Sequence, residues 1–137
     1  MIRGLLRDEL PFIRAVVSLP ARASAAAAVD LLVDTGSHLS VLAASVLEQL
    51  GLDPVTDLPT ARRVRVVGAA GSGEYVRVRV LLSFPDADPA RRPYPAWVAV
   101  PAVRSDPVPS IFGMESLADF RLVVSPAEKR VELEPLF

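Results

Sequence analysis

The residues with the clearest chemical potential lie between Leu31 and Ser37, where an apolar run delivers one acidic side chain. Leu31, Leu32 and Val33 place Asp34 at a strand end beside a core, where desolvation raises a carboxyl pKa. Gly36 permits a tight turn or the close approach of another chain. Thr35 and Ser37 bring hydroxyls able to hold a carboxylate or the neighbouring backbone. A carboxyl group so placed suits proton transfer to and from a bound substrate. The plain alternative is a solvated aspartate in an ordinary turn.

Other constellations are weaker. Asp34, Ser37 and His38 have the residue types of a hydrolase triad, but five consecutive positions can hardly align nucleophile, base and orienting acid. His38 reads more simply as a surface or helix-entry residue. Gly68, Gly71 and Gly73 lack the order of a dinucleotide loop, and no Gly-Lys-Ser/Thr is present. The chain has no cysteine, which removes disulfides, thiol catalysis and thiolate zinc sites. One histidine cannot build a multi-histidine metal cluster, so neither metal nor cofactor is expected. A formal net charge of -1 argues against a nucleic-acid partner and gives no reason for a membrane one. No segment approaches the roughly 18 apolar residues of a spanning helix. Arg3, Arg7, Asp8 and Glu9 interrupt any export signal, so the cytoplasm is the expected location.

The elements that must position Asp34 are mostly strands. At 137 residues, the chain fits a single domain spanning 1–137. Phe12 to Leu19, Ala28 to Val33, Arg63 to Val67 and Tyr75 to Leu81 read as strands, the last two alternating arginine with valine. On that pattern Arg63, Arg65, Arg77 and Arg79 form a solvated face. Ala96 to Val100, Phe120 to Val124 and Arg130 to Glu134 add three more. Gly68 to Glu74 is a glycine-rich connection suited to a hairpin tip. Ser40 can cap a helix from about Val41 to Leu50, with Gly51 as its C′ residue, and a short helix fits Met114 to Asp119. Phe84 to Pro95 reads as a surface loop, and Trp97 and Phe112 as core or pocket walls. Many short strands and one or two short helices predict an all-β closed barrel.

Val33-Asp34-Thr35-Gly36-Ser37 resembles the active-site motif of aspartic proteases of the pepsin and retropepsin type. Three further features resemble that family in the right order. They are the helix after the motif, the hairpin from Gly68 to Glu74 in the place of the flap, and Ile111-Phe112-Gly113 before the C-terminal helix. Phe120 to Val124 with Arg130 to Leu133 is similar to the closing hairpin of bacterial members. The resemblance covers roughly residues 12–134. A D-T-G-S string also resembles the phosphate loop of actin-like ATPases, but that fold needs two large lobes.

The resemblance implies a retropepsin-type barrel and hydrolysis of peptide bonds by two aspartates sharing one proton. Only one such motif is present, so the second aspartate would be Asp34 of another copy, making a homodimer acting on a peptide or protein substrate. Asp34 would then be catalytic. Thr35 would lock the two active-site loops together, Gly36 would let them approach, and Ser37 would donate to the carboxylate. Gly113 would pack beneath the loop, and the tip Gly71-Ser72-Gly73 would close over substrate. The rival expectation is a catalytically silent module of the same fold that binds peptides or acts as a scaffold.

Overall fold

Proline and glycine cut the β-branched runs into short strands, and the computed structural model, which describes residues 1–68, 71–88, 91–103 and 108–137, has that organisation. The chain opens with β1 (Ile2–Arg3), β2 (Leu5–Arg7), β3 (Leu10–Leu19) and β4 (Arg22–Val33). Two short helices follow, α1 (Ala44–Gln49) and α2 (Pro54–Asp57). Next come β5 (Arg63–Gly68), β6 (Gly71–Ser83), β7 (Tyr94–Pro101) and β8 (Ile111–Phe112). The chain finishes with α3 (Met114–Leu117), β9 (Phe120–Ser125) and β10 (Arg130–Pro135).

The larger sheet runs β5-β6-β3-β4-β8, with β2 also on β3 and β7 also on β6. The smaller runs β1-β10-β9. The fold is therefore mainly β with few short helices, as expected. Pairing among the described residues does not close either sheet into the expected barrel.

Alternation decides which face of each strand is covered. Ile13, Ala15 and Val17 of β3 are fully buried, as are Val76 and Val80 of β6. On the opposite face Arg14 pairs across the sheet with Asp30, 3.0 Å away, and Arg7 reaches the same carboxylate at 3.1 Å. Side-chain hydrogen bonding from Arg14 is the main reason that carboxyl sits below the usual aspartate range. Between the sheets, Phe84, Phe112 and Phe120 meet edge to face with centroids 5.6–6.2 Å apart. Such pairing stabilises beyond the area it buries.

Helix boundaries differ from expectation for a backbone reason. Val41 donates its N–H to Ile111 O at 2.9 Å and bridges to Ala99, so the sheet takes residues that the apolar stripe gave to the helix. Accordingly α1 starts at Ala44, three positions late, and Ser40 does not cap it. Its end is as read: Gly51 has φ 71°, and Leu52 N–H reaches Leu47 O at 3.0 Å. The unanticipated α2 is capped by Asp53, whose carboxylate accepts from Val55 N–H, with Pro54 in the first turn.

The two sheets meet where β1 passes into β2. A Cβ on Gly4 would lie 2.2 Å from Phe12 O and 2.6 Å from Ile13 Cδ1. Gly4→Ala is expected to cost about 1–3 kcal/mol by overpacking, measured as a lowered urea midpoint. An unchanged midpoint would mean that the junction yields freely.

Candidate active site

An apolar strand ends in Asp34, and a second strand fixes how it ends. β8 runs parallel to β4 with Leu32 opposite Ile111 and Val33 opposite Phe112. Leu32 N–H donates to Ser110 O at 2.9 Å, and Asp34 N–H to Phe112 O at 3.1 Å. Val33 and Phe112 are buried, while Asp34 emerges half-buried where the chain turns. The turn is tight: Gly36 N–H donates to Asp34 Oδ1 at 2.9 Å, and Ser37 N–H to Asp34 O at 3.2 Å. One carboxylate oxygen is thus held by backbone.

Beneath the carboxylate, residues 37–40 lie against the first turn of α3. Met114 N–H donates to Ser37 O at 2.8 Å and Glu115 N–H to His38 O at 2.9 Å. This approach demands glycine at 113, because a Cβ there would sit 2.3 Å from Leu39 O and 2.9 Å from Ser37 O. Gly113 N–H donates to Ser40 Oγ at 3.0 Å, and that hydroxyl also bonds Ser116 Oγ at 2.8 Å. Both serines are 2% exposed and fully partnered.

Glu115 extends the clamp to β6. Its Oε1 accepts from Ser40 N–H at 3.0 Å, and both oxygens accept from the Arg77 guanidinium, at 2.9 and 2.8 Å. The two side chains are only 15% and 19% exposed, so the pair is charge-assisted, bidentate and largely shielded from solvent. Arg77 therefore does not belong to the solvated arginine face that alternation suggested.

Over Asp34 lies a cavity of about 710 Å³. Its floor includes Asp34, Gly36 and Ser37, and its other walls include Val41, Val108 and Ile111. Arg65, Val66, Val67 and Tyr75 line it from the β5–β6 hairpin. Val67 is 76% exposed. Gly71, Ser72 and Gly73, expected as a tip, instead open β6 and pair with Gly68, Val67 and Val66. Residues 69 and 70, between β5 and β6, lie outside the described residues. Glycine is a poor strand former, yet strand pairing carries through Gly68, Gly71 and Gly73.

Of the anticipated residues, the fold brings Asp34, Gly36 and Ser37 to the cavity and puts Gly113 directly below. Thr35 is exposed, and among the described residues its hydroxyl makes no hydrogen bond within the chain. His38, read as a surface residue, is exposed and also lines the cavity. Ser37 Oγ donates to Leu39 O at 2.7 Å and not to Asp34. The carbonyl two residues ahead captures the hydroxyl, a bond local to serine in turns. Ser40, Arg77 and Glu115 were missed as a positioning set. The acidic residue two positions after Gly113 was the available signal.

Arg77→Ala is expected to cost about 2–3 kcal/mol, below the full cost of breaking a wholly buried pair because some solvent reaches it. Urea unfolding of both single variants and the double variant with Glu115→Gln would measure the coupling, and additive losses would show that the pair is not a clamp. Ser37→Ala should lose about 1 kcal/mol of stability and leave the acidic limb of any pH–rate profile in place. A moved limb would return Ser37 to the carboxylate.

The sequence matches the aspartyl protease family over residues 20–116. No curated protein matches it significantly. Among solved structures, a retropepsin-like aspartic protease from Rickettsia conorii aligns with TM-score 0.65 and 19% identity, over 97% of this chain and 88% of its own. The EIAV protease complexed with the inhibitor HBY-793 aligns with TM-score 0.54 and 17% identity, over 82% of this chain and 88% of its own. With the family match covering most of the chain and the fold shared with both structures, this chain belongs to the aspartyl protease family and has a retropepsin-like fold.

Proposed function

We propose that the chain is an aspartic endopeptidase whose catalytic pair is Asp34 from each of two copies. The observation that carries this reading is the half-buried Asp34 carboxylate, held at Oδ1 by Gly36 N–H and opening into the cavity below the β5–β6 hairpin. One carboxylate cannot act at once as base on water and acid on the leaving group. A second is needed, and a single Asp-Thr-Gly per chain leaves another copy as its source.

Two such carboxyls cannot both ionise at close range, so they share a proton and titrate as a pair. The ionised member takes a proton from water as it attacks the peptide carbonyl, and the protonated member donates to the departing nitrogen. Thr35, exposed beside Asp34, would grip the neighbouring copy. An extended substrate would lie under the hairpin and pair with its backbone. Val66, Val67 and Ile111 would receive apolar side chains flanking the scissile bond.

The test is cleavage of a diverse peptide mixture from about pH 3 to pH 7 at a concentration where sizing shows a dimer, beside Asp34→Asn. The expected outcome is wild-type cleavage lost by at least about a thousandfold in a variant that still dimerises. A confirmed wild-type dimer that cleaves nothing would leave a peptide-binding or scaffold module in its place.

A further inference from the structure

A second concavity lies apart from the Asp34 cavity and shares no lining residue with it. Its volume is about 600 Å³, and its apolar lining includes Leu52, Leu58, Val78 and Trp97. Leu52 and Val78 are buried core residues, but Trp97 is 48% exposed on β7. Tryptophan and arginine are enriched among the residues that dominate binding interfaces.

The charges around the groove are unbalanced. Arg62, Arg77 and Arg79 line it, with Asp57 the one acidic residue among its lining. Arg77 is committed to Glu115. Asp57 already accepts from Asp53 N–H through Oδ2, at 2.8 Å. Among the described residues neither Arg62 nor Arg79 has an acidic partner. Arg79 lies opposite Trp97 in the sheet, with its guanidinium carbon 5.8 Å from the ring centroid. Two free guanidinium groups beside an aromatic and aliphatic floor are complementary to carboxylates alternating with apolar side chains.

We propose that this groove is an exosite for an acidic linear peptide, with an apolar side chain on Trp97 and Leu58 and carboxylates on Arg62 and Arg79. The assignment does not rest on the proteolytic reading, since no residue of the Asp34 cavity takes part. Because Arg77 lines the groove and also holds Glu115, a peptide bound there would press on the clamp beneath Asp34.

Trp97 is the only tryptophan in the chain, so its emission reports on the groove directly. The probe is the peptide acetyl-Glu-Leu-Asp-Phe-Glu-amide, titrated into the full chain carrying Asp34→Asn so that no peptide can be consumed. The expected result is a saturable change in Trp97 emission that weakens with added salt, as exposed charge pairing does. Arg62→Glu with Arg79→Glu should weaken binding by about tenfold or more, with unchanged circular dichroism, and the milder glutamine pair should weaken it less. No saturable change would overturn the proposal. So would an equal response to acetyl-Lys-Leu-Lys-Phe-Lys-amide, or binding indifferent to the charge reversal, which would place the peptide elsewhere, such as the Asp34 cavity. Self-association without peptide that the charge reversal abolishes would make a second copy the occupant and overturn it too.

Discussion

The close approach of two backbones at Gly113 is the constraint on which the site depends. Residues 37–39 pass within van der Waals distance of the position a side chain would take there. That leaves room for backbone hydrogen bonds from Met114 and Glu115 to the loop that carries Asp34. The parallel pairing of β4 with β8 brings this contact to the end of the strand that delivers the acid. Positioning by backbone on rigid elements holds a reactive group more tightly than long side chains can.

Electrostatics then joins elements that the chain keeps apart. Glu115 receives a backbone N–H from the active-site loop and a guanidinium from β6, so one carboxylate binds loop, helix and sheet. Leaving such a group without partners would cost far more than an exposed pair contributes, which favours a single arrangement of the three. The exposed Arg14–Asp30 and Arg7–Asp30 contacts are of the weaker kind.

Much of this was legible in the residues. Short β-branched runs located β3, β5, β7, β9 and β10 to within two positions, while β4 begins six positions and β6 four positions before the strands expected there, and Gly51 marked the end of α1. The Asp-Thr-Gly string pointed to the carboxylate that the cavity exposes. What stayed hidden depends on long-range pairing. Val41 falls in the apolar stripe expected of a helix after Ser40, yet its N–H goes to Ile111, seventy positions away. Ser37 suggested a carboxylate donor, because composition cannot reveal that Leu39 O lies nearer. Arg77 reads like its neighbours in an alternating strand, and only the position of α3 makes it a half-hidden anchor. The two-residue strands β1 and β8 carry too little sequence to show a period.

β6 is one uninterrupted strand from the hairpin over the cavity to its pairing with β3 at Leu81–Ser83. Arg77 sits partway along it, fastened to the helix under Asp34. Pairing with β7 begins at Tyr75, so the stretch from Gly71 to Tyr75 is an arm about 13 Å long at the usual strand rise of 3.3 Å per residue. Pivoting such an arm by about 10° at its anchored end would move its free end by about 2 Å. β6 is thus braced by β7 as far as Tyr75, and among the described residues the part of the hairpin over the cavity extends beyond that brace on its pairing with β5.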